Sequence, residues 1–350
     1  MNRLTLFVSS VVVLFACATS RSAESSAKPT HVTGDSLVLA GTTTGNLLGR
    51  HVDAATVVVR STYEQTDKTI TYESGRDYVL DAKAGTLART ANSRIPDFST
   101  NVLFGKKDFD HSQFPGYGNG KFFVFVDYAA HDVPDIRPEP VDVAAQLPKT
   151  LERLRAGKPL KVIAYGDSIT AGGEASTEAL QYTPRWIREV LRPKFPKSEI
   201  TFENGATGGD TSYQGVSRLE QKVLSRSPDL VLIAFGMNDN NVGGTPLPKF
   251  QENLRSMVSS IRQRTGAEVI LLSTFPSHPD WRFNSHQMQS YALATRNVAK
   301  EVNAPYADVF GVWEHVLKRK DPSSLLGNNI NHPNDFGHWL YVVALEGLKF

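Results

Sequence analysis

Four short runs of this sequence carry residue types whose chemistries complement one another, and they follow in a fixed order along the chain. The first is Gly166-Asp167-Ser168-Ile169-Thr170. A serine hydroxyl is a poor nucleophile until a base takes its proton. A tight turn after a strand would expose it, and a following helix start would offer backbone N–H groups to a developing oxyanion. The second run is Asn204-Gly205-Ala206-Thr207-Gly208-Gly209-Asp210-Thr211, whose glycines let a backbone N–H approach a ligand with no Cβ in the way. The third is Gly236-Met237-Asn238-Asp239. An asparagine amide can donate to an oxyanion while bringing no charge of its own. The fourth is Asn331-His332-Pro333-Asn334-Asp335-Phe336-Gly337-His338. Histidine is the usual general base for a serine, Asn334 suits a helix N-cap and Asp335 a first turn. Each run alone has an ordinary structural reading as turn, loop or cap. Their order carries the weight.

Taken together, the four runs resemble the SGNH (GDSL-type) esterase and lipase superfamily, over roughly residues 160–345. The resemblance implies that Ser168 is the nucleophile and that the oxyanion hole consists of the Ser168 N–H, the Gly209 N–H and the Asn238 amide. It also implies a five-stranded parallel sheet between helices. The family usually ends in Asp-x-x-His, followed by Pro and often Asn, and here the pattern departs. Aligning on His-Pro-Asn makes His332 the base and puts Asn329 where the acid would stand. Aligning on Asp-x-x-His selects Asp335 and His338, but buries His338 inside the helix that begins near Asn334. We read His332 as the base and keep His338 with Asp335 as the alternative pair. Asn329 could hold the imidazole through its side-chain oxygen but could not stabilise imidazolium by charge. In the serine-protease template the corresponding Asp→Asn change costs about 10⁴ in kcat, through the wrong tautomer. A metal reading of His332, Asp335 and His338 is disfavoured, because Pro333 and the helix start prevent a same-face ligand set. No metal and no cofactor are expected, and neither a Gly-x-Gly-x-x-Gly run nor a phosphate-binding lysine motif occurs.

These motifs need elements to position them. Leu160–Tyr165, Asp229–Phe235 and Glu268–Phe275 are continuous apolar runs, with shorter candidates at Glu199–Glu203 and Pro305–Val309. Helical periodicity fills Pro248–Thr265 and Ser285–Val302. Strands buried on both faces and alternating with helices predict a flavodoxin-like, three-layer α/β/α fold with a five-stranded parallel sheet over residues 151–350. Ligands in such sheets bind beyond the carboxyl ends of the strands, which is where Ser168 and Asn238 fall. Trp281, Phe283 and His286 follow a strand and are candidates to line a pocket, and Gly243-Gly244 suggests a mobile loop nearby.

The first third of the chain has a different texture. Ala55–Val59, Lys68–Tyr72, Tyr78–Leu80 and Lys121–Val126 are β-branched or aromatic runs separated by glycine turns. They predict a small all-β, sandwich-like accessory domain over residues 28–133. Residues 24–34 read as a flexible lead-in, and Pro134, Pro138, Pro140 and Pro148 as a stiff linker over 134–150.

The 350 residues leave room for two folded units. A net charge of +2 with no basic stripe argues against a nucleic-acid partner. Arg3 followed by the uncharged run Leu4–Ala18 has the layout of a signal peptide over residues 1–23, cleaved after Ala18 or Ala23. The single cysteine, Cys17, is a candidate lipid-anchor site. The expectation is an exported protein, whether periplasmic, extracellular or lipid-anchored at a membrane surface. It would be a serine esterase removing acyl groups, acetyl first among them, from a small-molecule or polysaccharide ester. A lipase or simple-ester hydrolase is the alternative within the enzyme class. A catalytically degenerate carbohydrate-binding protein is the alternative outside it.

Overall fold

The computed structural model describes Met1 and residues 28–350, so the signal-peptide and Cys17 expectations lie outside the described residues. Five strands form a parallel sheet in the order Ile200–Asn204, Leu160–Gly166, Leu230–Ala234, Glu268–Leu272, Tyr306–Ala307. In chain order this is 2-1-3-4-5, the flavodoxin-like arrangement, and the direction of winding reverses between the first and third strands. Leu230–Ala234 and Glu268–Leu272 are buried at every residue, as sheets covered on both faces require. Helices Ser212–Lys222, Leu247–Thr265 and Met288–Glu301 pack side by side, while Tyr182–Trp186 and Val309–Leu317 pack on Asp335–Glu346.

The N-terminal region is antiparallel. Thr30–Val38, Phe123–Asp132, Val58–Arg60 and Thr71–Tyr72 lie in one sheet, with Arg50–Val52 paired to Phe123–Asp132. Gly45–Asn46, Thr86–Arg89 and Tyr78–Asp81 form a second sheet. The sequence reading of 24–34 as a lead-in is corrected from Thr30 onward: Thr30–Val38 pairs along almost the whole of Phe123–Asp132. Its polar residues hid the strand, since Asp35 and Ser36 are both fully buried yet bonded. The predicted run Ala55–Val59 is part 3₁₀ turn (Ala54–Thr56) and part strand (Val58–Arg60). Within the proline-rich stretch, Val141–Asp142 pairs with Leu348–Lys349, and Pro148 sits in the first turn of the helix Pro148–Arg155. Proline is tolerated there because its missing N–H would have no intrahelical partner.

Successive side chains of a strand point to opposite faces, and Phe123–Asp132 uses both. Val124, Val126, Tyr128 and Ala130 pack with Leu37, Val59 and Leu87 in a core belonging to the N-terminal region. Phe123 and Phe125, of opposite parity, join Tyr63, Phe98 and Phe122 in the large core that also contains the parallel sheet. One strand therefore belongs to two cores. Polar contacts tighten the joint. Lys320, after the helix Val309–Leu317, is fully buried with its Nζ 2.5 Å from Asp35 Oδ1 and donates to the Asn46 carbonyl at 3.0 Å. The other oxygen of Asp35 accepts from Leu48 N–H (2.6 Å) and the Tyr128 hydroxyl (2.8 Å). Neighbouring Arg319 donates to the carbonyls of Leu47 (2.5 Å) and Ala84 (2.5 Å). Removing one member of a buried ion pair leaves the other charge uncompensated, at about 3–5 kcal/mol. Lys320→Met is therefore expected to lower unfolding free energy by about 3–5 kcal/mol in urea titrations monitored by tryptophan fluorescence.

Candidate active site

The first parallel strand ends at Gly166, where only glycine fits: a Cβ there would lie 2.3 Å from the Ala234 carbonyl oxygen and from Thr170 Oγ1. This close approach brings the turn Asp167-Ser168-Ile169 beside the end of Leu230–Ala234, at the point where the sheet's winding reverses. Asp167 is buried and accepts the Ile169 N–H at 3.0 Å, shaping the turn. Burial raises its carboxyl to about 7 despite that bond, with the Asp239 charge adding to the shift.

His332 Nε2 lies 2.8 Å from Ser168 Oγ. The sequence separates these residues by 164 positions, and the structure joins them. Burial lowers the imidazole to about 4, so it is neutral and able to accept a proton at ordinary pH. Its place is set by backbone. Asn328 Oδ1 accepts three consecutive N–H groups, from Ile330 (3.0 Å), Asn331 (2.9 Å) and His332 (2.9 Å). The His332 carbonyl accepts Gly327 N–H at 2.8 Å. The Nδ1 edge of the ring faces Gly173: a Cβ on Gly173 would lie 2.9 Å from Nδ1 and 3.0 Å from the Ser168 carbonyl. Gly173 N–H donates to that carbonyl at 2.8 Å, and its own carbonyl accepts from His338 Nε2 at 3.1 Å.

The glycine loop borders the same turn, since a Cβ on Gly208 would lie 3.8 Å from Ser168 Cβ. Gly209 is in the left-handed region (φ 79°), and the space beside its Cα is open to 4 Å. Neither its N–H nor that of Ser168 bonds within the protein among the described residues. Asn238 Nδ2 donates one hydrogen to the Asp210 carbonyl at 2.9 Å, which fixes the amide against the glycine loop and leaves its second hydrogen free. Asp239, fully buried, accepts Ser212 N–H (3.0 Å) and Ser212 Oγ–H (2.6 Å), tying the third strand's end to the helix Ser212–Lys222. Thr211 and Gln214 complete a capping box on that helix.

Two sequence expectations are corrected here. Asn329 does not hold the imidazole: its backbone turns left-handed (φ 58°), and its buried Oδ1 has no partner. It lines a different cleft, with His278 and Ser323. Asp335 and His338 do not form a base and acid pair either. Asp335 Oδ1 accepts Ser176 N–H at 2.8 Å, while His338 is wholly buried, stacked on Tyr182 and directed at Gly173. Neither bonds to Ser168 among the described residues, and Asn334 caps Gly337 N–H at 2.9 Å as its residue type suggested. Among the described residues no carboxylate bonds to His332. Trp281 is buried against Phe109, Leu103 and Ile330, and Phe283 accepts Val242 N–H through its carbonyl, holding the Asn238–Gly244 loop. His286 is exposed. Sequence reasoning missed Asn328 and Gly173. The cluster Asn328-Asn329-Ile330-Asn331 was a signal for a side-chain-nucleated turn, whereas nothing local marks Gly173 as a contact of a residue so distant.

A profile of the GDSL-like Lipase/Acylhydrolase family matches residues 164–340. Among curated proteins, an acetylxylan esterase of Geobacillus stearothermophilus is 23% identical over 208 residues, covering 55% of this chain and 94% of that protein. The thioesterase 1/protease 1/lysophospholipase L1 of Escherichia coli K12 is 27% identical over 180 residues, covering 51% and 78%. Among solved structures, a two-domain esterase active on acetylated mannans, co-crystallized with mannopentaose, is 27% identical with a TM-score of 0.47. That match covers 58% of this chain and 53% of the two-domain esterase, so the chain spans about half of that protein's length.

If contact with Gly173 sets the imidazole's position, Gly173→Ala must push the ring away from Ser168. Small misplacements of reacting groups cost about 10² in rate. Labelling of Ser168 by a fluorophosphonate is expected to slow by about that factor in Gly173→Ala, read by mass spectrometry over time.

Proposed function

The chain belongs to the GDSL-like Lipase/Acylhydrolase family, and from that premise we propose that it is an exported carboxylic ester hydrolase that removes acetyl groups from carbohydrate. The observation that carries the reading is the 2.8 Å contact between His332 Nε2 and Ser168 Oγ, at a turn bordered by three unspent hydrogen-bond donors. In this reading His332 takes the hydroxyl proton as Ser168 Oγ attacks the ester carbonyl carbon. The carbonyl oxygen becomes an oxyanion, stabilised by the N–H groups of Ser168 and Gly209 and the free hydrogen of the Asn238 amide. Collapse of the tetrahedral intermediate breaks the bond to the alcohol oxygen, which leaves with the proton from His332. Water then repeats the sequence on the acyl-enzyme, with His332 again as base, and releases the acid.

Without a carboxylate on Nδ1 the pair works as a dyad. Imidazolium formed in the transition state has no counter-charge, so the base depends on position more than on electrostatic help. The carbohydrate part of the reading draws support from the similarity to an acetylxylan esterase along most of that protein's length. Export rests on the N-terminal sequence alone.

The decisive comparison uses p-nitrophenyl acetate. Ser168→Ala is expected to lose at least about 10³ in kcat, and Asn238→Ala about 10²–10³. Equal rates for Ser168→Ala and wild type would contradict the reading. The pH profile is a separate check. His332 must be neutral to act, so activity is present above its pKa and is lost as pH falls through it. With that pKa lowered to about 4, kcat/KM is expected to hold its plateau at pH 5.5. An acid limb centred near the ordinary histidine value of about 6.5 would contradict the assignment of the buried imidazole as base.

A further inference from the structure

Asn329 loses its sequence-expected role as the imidazole's partner, and its surroundings suggest another. It lines a cleft of about 530 Å³ where four stretches meet: residues 38–46 of the N-terminal region, 98–107, 278–280 and 321–329. Asn329 is 2% exposed, and its Oδ1 is buried without a hydrogen-bond partner. A buried acceptor left unmet is costly, so an oxygen in this position favours a ligand that brings a donor. His278, on the opposite loop, supplies the reverse. Its Nδ1 accepts Asp280 N–H at 3.2 Å, and burial pushes the ring toward its neutral form. The hydrogen therefore resides on Nε2, which has no acceptor among the described residues. At the rim, Thr43, Thr44 and Asn46 are exposed, with side chains unbonded within the described protein.

Charge and shape narrow the ligand. Lys107 is paired with Asp280 at 2.8 Å, Lys106 lies over the Phe114 ring, and Asp321 caps Ser323 N–H. These charges are part of the lining, Lys106 and Lys107 against Asp280 and Asp321, and they balance to no net formal charge, which favours neither an anionic nor a cationic ligand. Phe104 is 48% exposed, held edge-to-face by Phe98 at 5.7 Å. Scattered neutral donors and acceptors beside an exposed aromatic ring suit a molecule with many hydroxyl groups and flat C–H faces. We propose that this cleft binds a neutral oligosaccharide and anchors polymeric substrate to the protein. The inference rests on the carbohydrate-ester reading above and adds a site remote in sequence from Ser168. His278 N–H donates to the Ile330 carbonyl at 2.6 Å, so the cleft and the His332 loop share one wall. A second attachment point raises the effective concentration of polymer at the first, which affects large substrates and leaves small ones untouched.

The test uses the full chain carrying Ser168→Ala, run in native gels with and without deacetylated glucomannan or xylan. Retardation by either polymer, reduced about tenfold in apparent affinity by adding Phe104→Ala or Thr44→Val, is the expected result. Equal mobility of the Ser168→Ala protein in all gels overturns the site, as does retardation that both added substitutions leave unchanged. With Ser168 intact, Phe104→Ala and Thr44→Val are expected to keep wild-type kinetics on p-nitrophenyl acetate, which shows that the fold survives. Acetate release from the acetylated polymers is measured alongside. Its absence would contradict the carbohydrate-ester reading by itself, whatever the gels show of binding.

Discussion

The segment 319–332 ties the N-terminal region to the loop that bears His332, and the buried pair Lys320–Asp35 is its anchor. Lys320 and Arg319 enter the N-terminal region and bind carbonyls and a carboxylate there. Ser36 Oγ donates to the Ser324 carbonyl at 2.6 Å. Asn119, fully buried, donates through Nδ2 to Ser323 (3.1 Å) and Leu326 (3.0 Å) carbonyls and through its N–H to Gly327 (2.7 Å). Gly327 in turn donates to His332. The loop that carries the base is therefore folded against the β-region, which acts as a wall of the site's scaffold. An irregular buried segment must satisfy its backbone groups somewhere, and here Ser36 and Asn119 of the β-region take the carbonyls of Ser323, Ser324, Leu326 and Gly327.

The architecture explains how a serine and histidine can be matched without an acid. A carboxylate partner normally fixes the imidazole's tautomer and orientation. Here the Asn328 side chain gathers three N–H groups below the ring, and Gly173 limits how far the ring can move. Burial keeps the imidazole neutral and raises the Asp167 carboxyl to about 7.

Much of this was legible in the residues. The parallel strands announced themselves as apolar runs because both their faces are covered, and the motifs at their ends fell where strand order reverses. Ser168 and His332 are brought together as the order of motifs implied. What stayed hidden was tertiary in origin. Thr30–Val38 reads as polar because Asp35 and Ser36 are committed to partners in the C-terminal segment, which no local pattern reveals. The same holds for Gly173, whose need for a bare Cα comes from a ring 159 positions away in sequence. Asn329 misled because spacing alone cannot register that its backbone turns left-handed and carries the side chain into another cleft.

The β-region reaches the His332 loop most directly through Asn119. Asn119→Ala removes the side-chain donors to the Ser323 and Leu326 carbonyls while leaving Ser168, Gly209 and Asn238 untouched. The direct measurement is kcat on p-nitrophenyl acetate for this variant, with hydrogen exchange followed across residues 319–332. The expected result is a fall in kcat of about tenfold or more, with faster exchange confined to that segment and an unchanged exchange pattern in the parallel sheet. Wild-type kcat with loosened exchange in the segment would contradict it, because the loop would then hold His332 without help from the β-region.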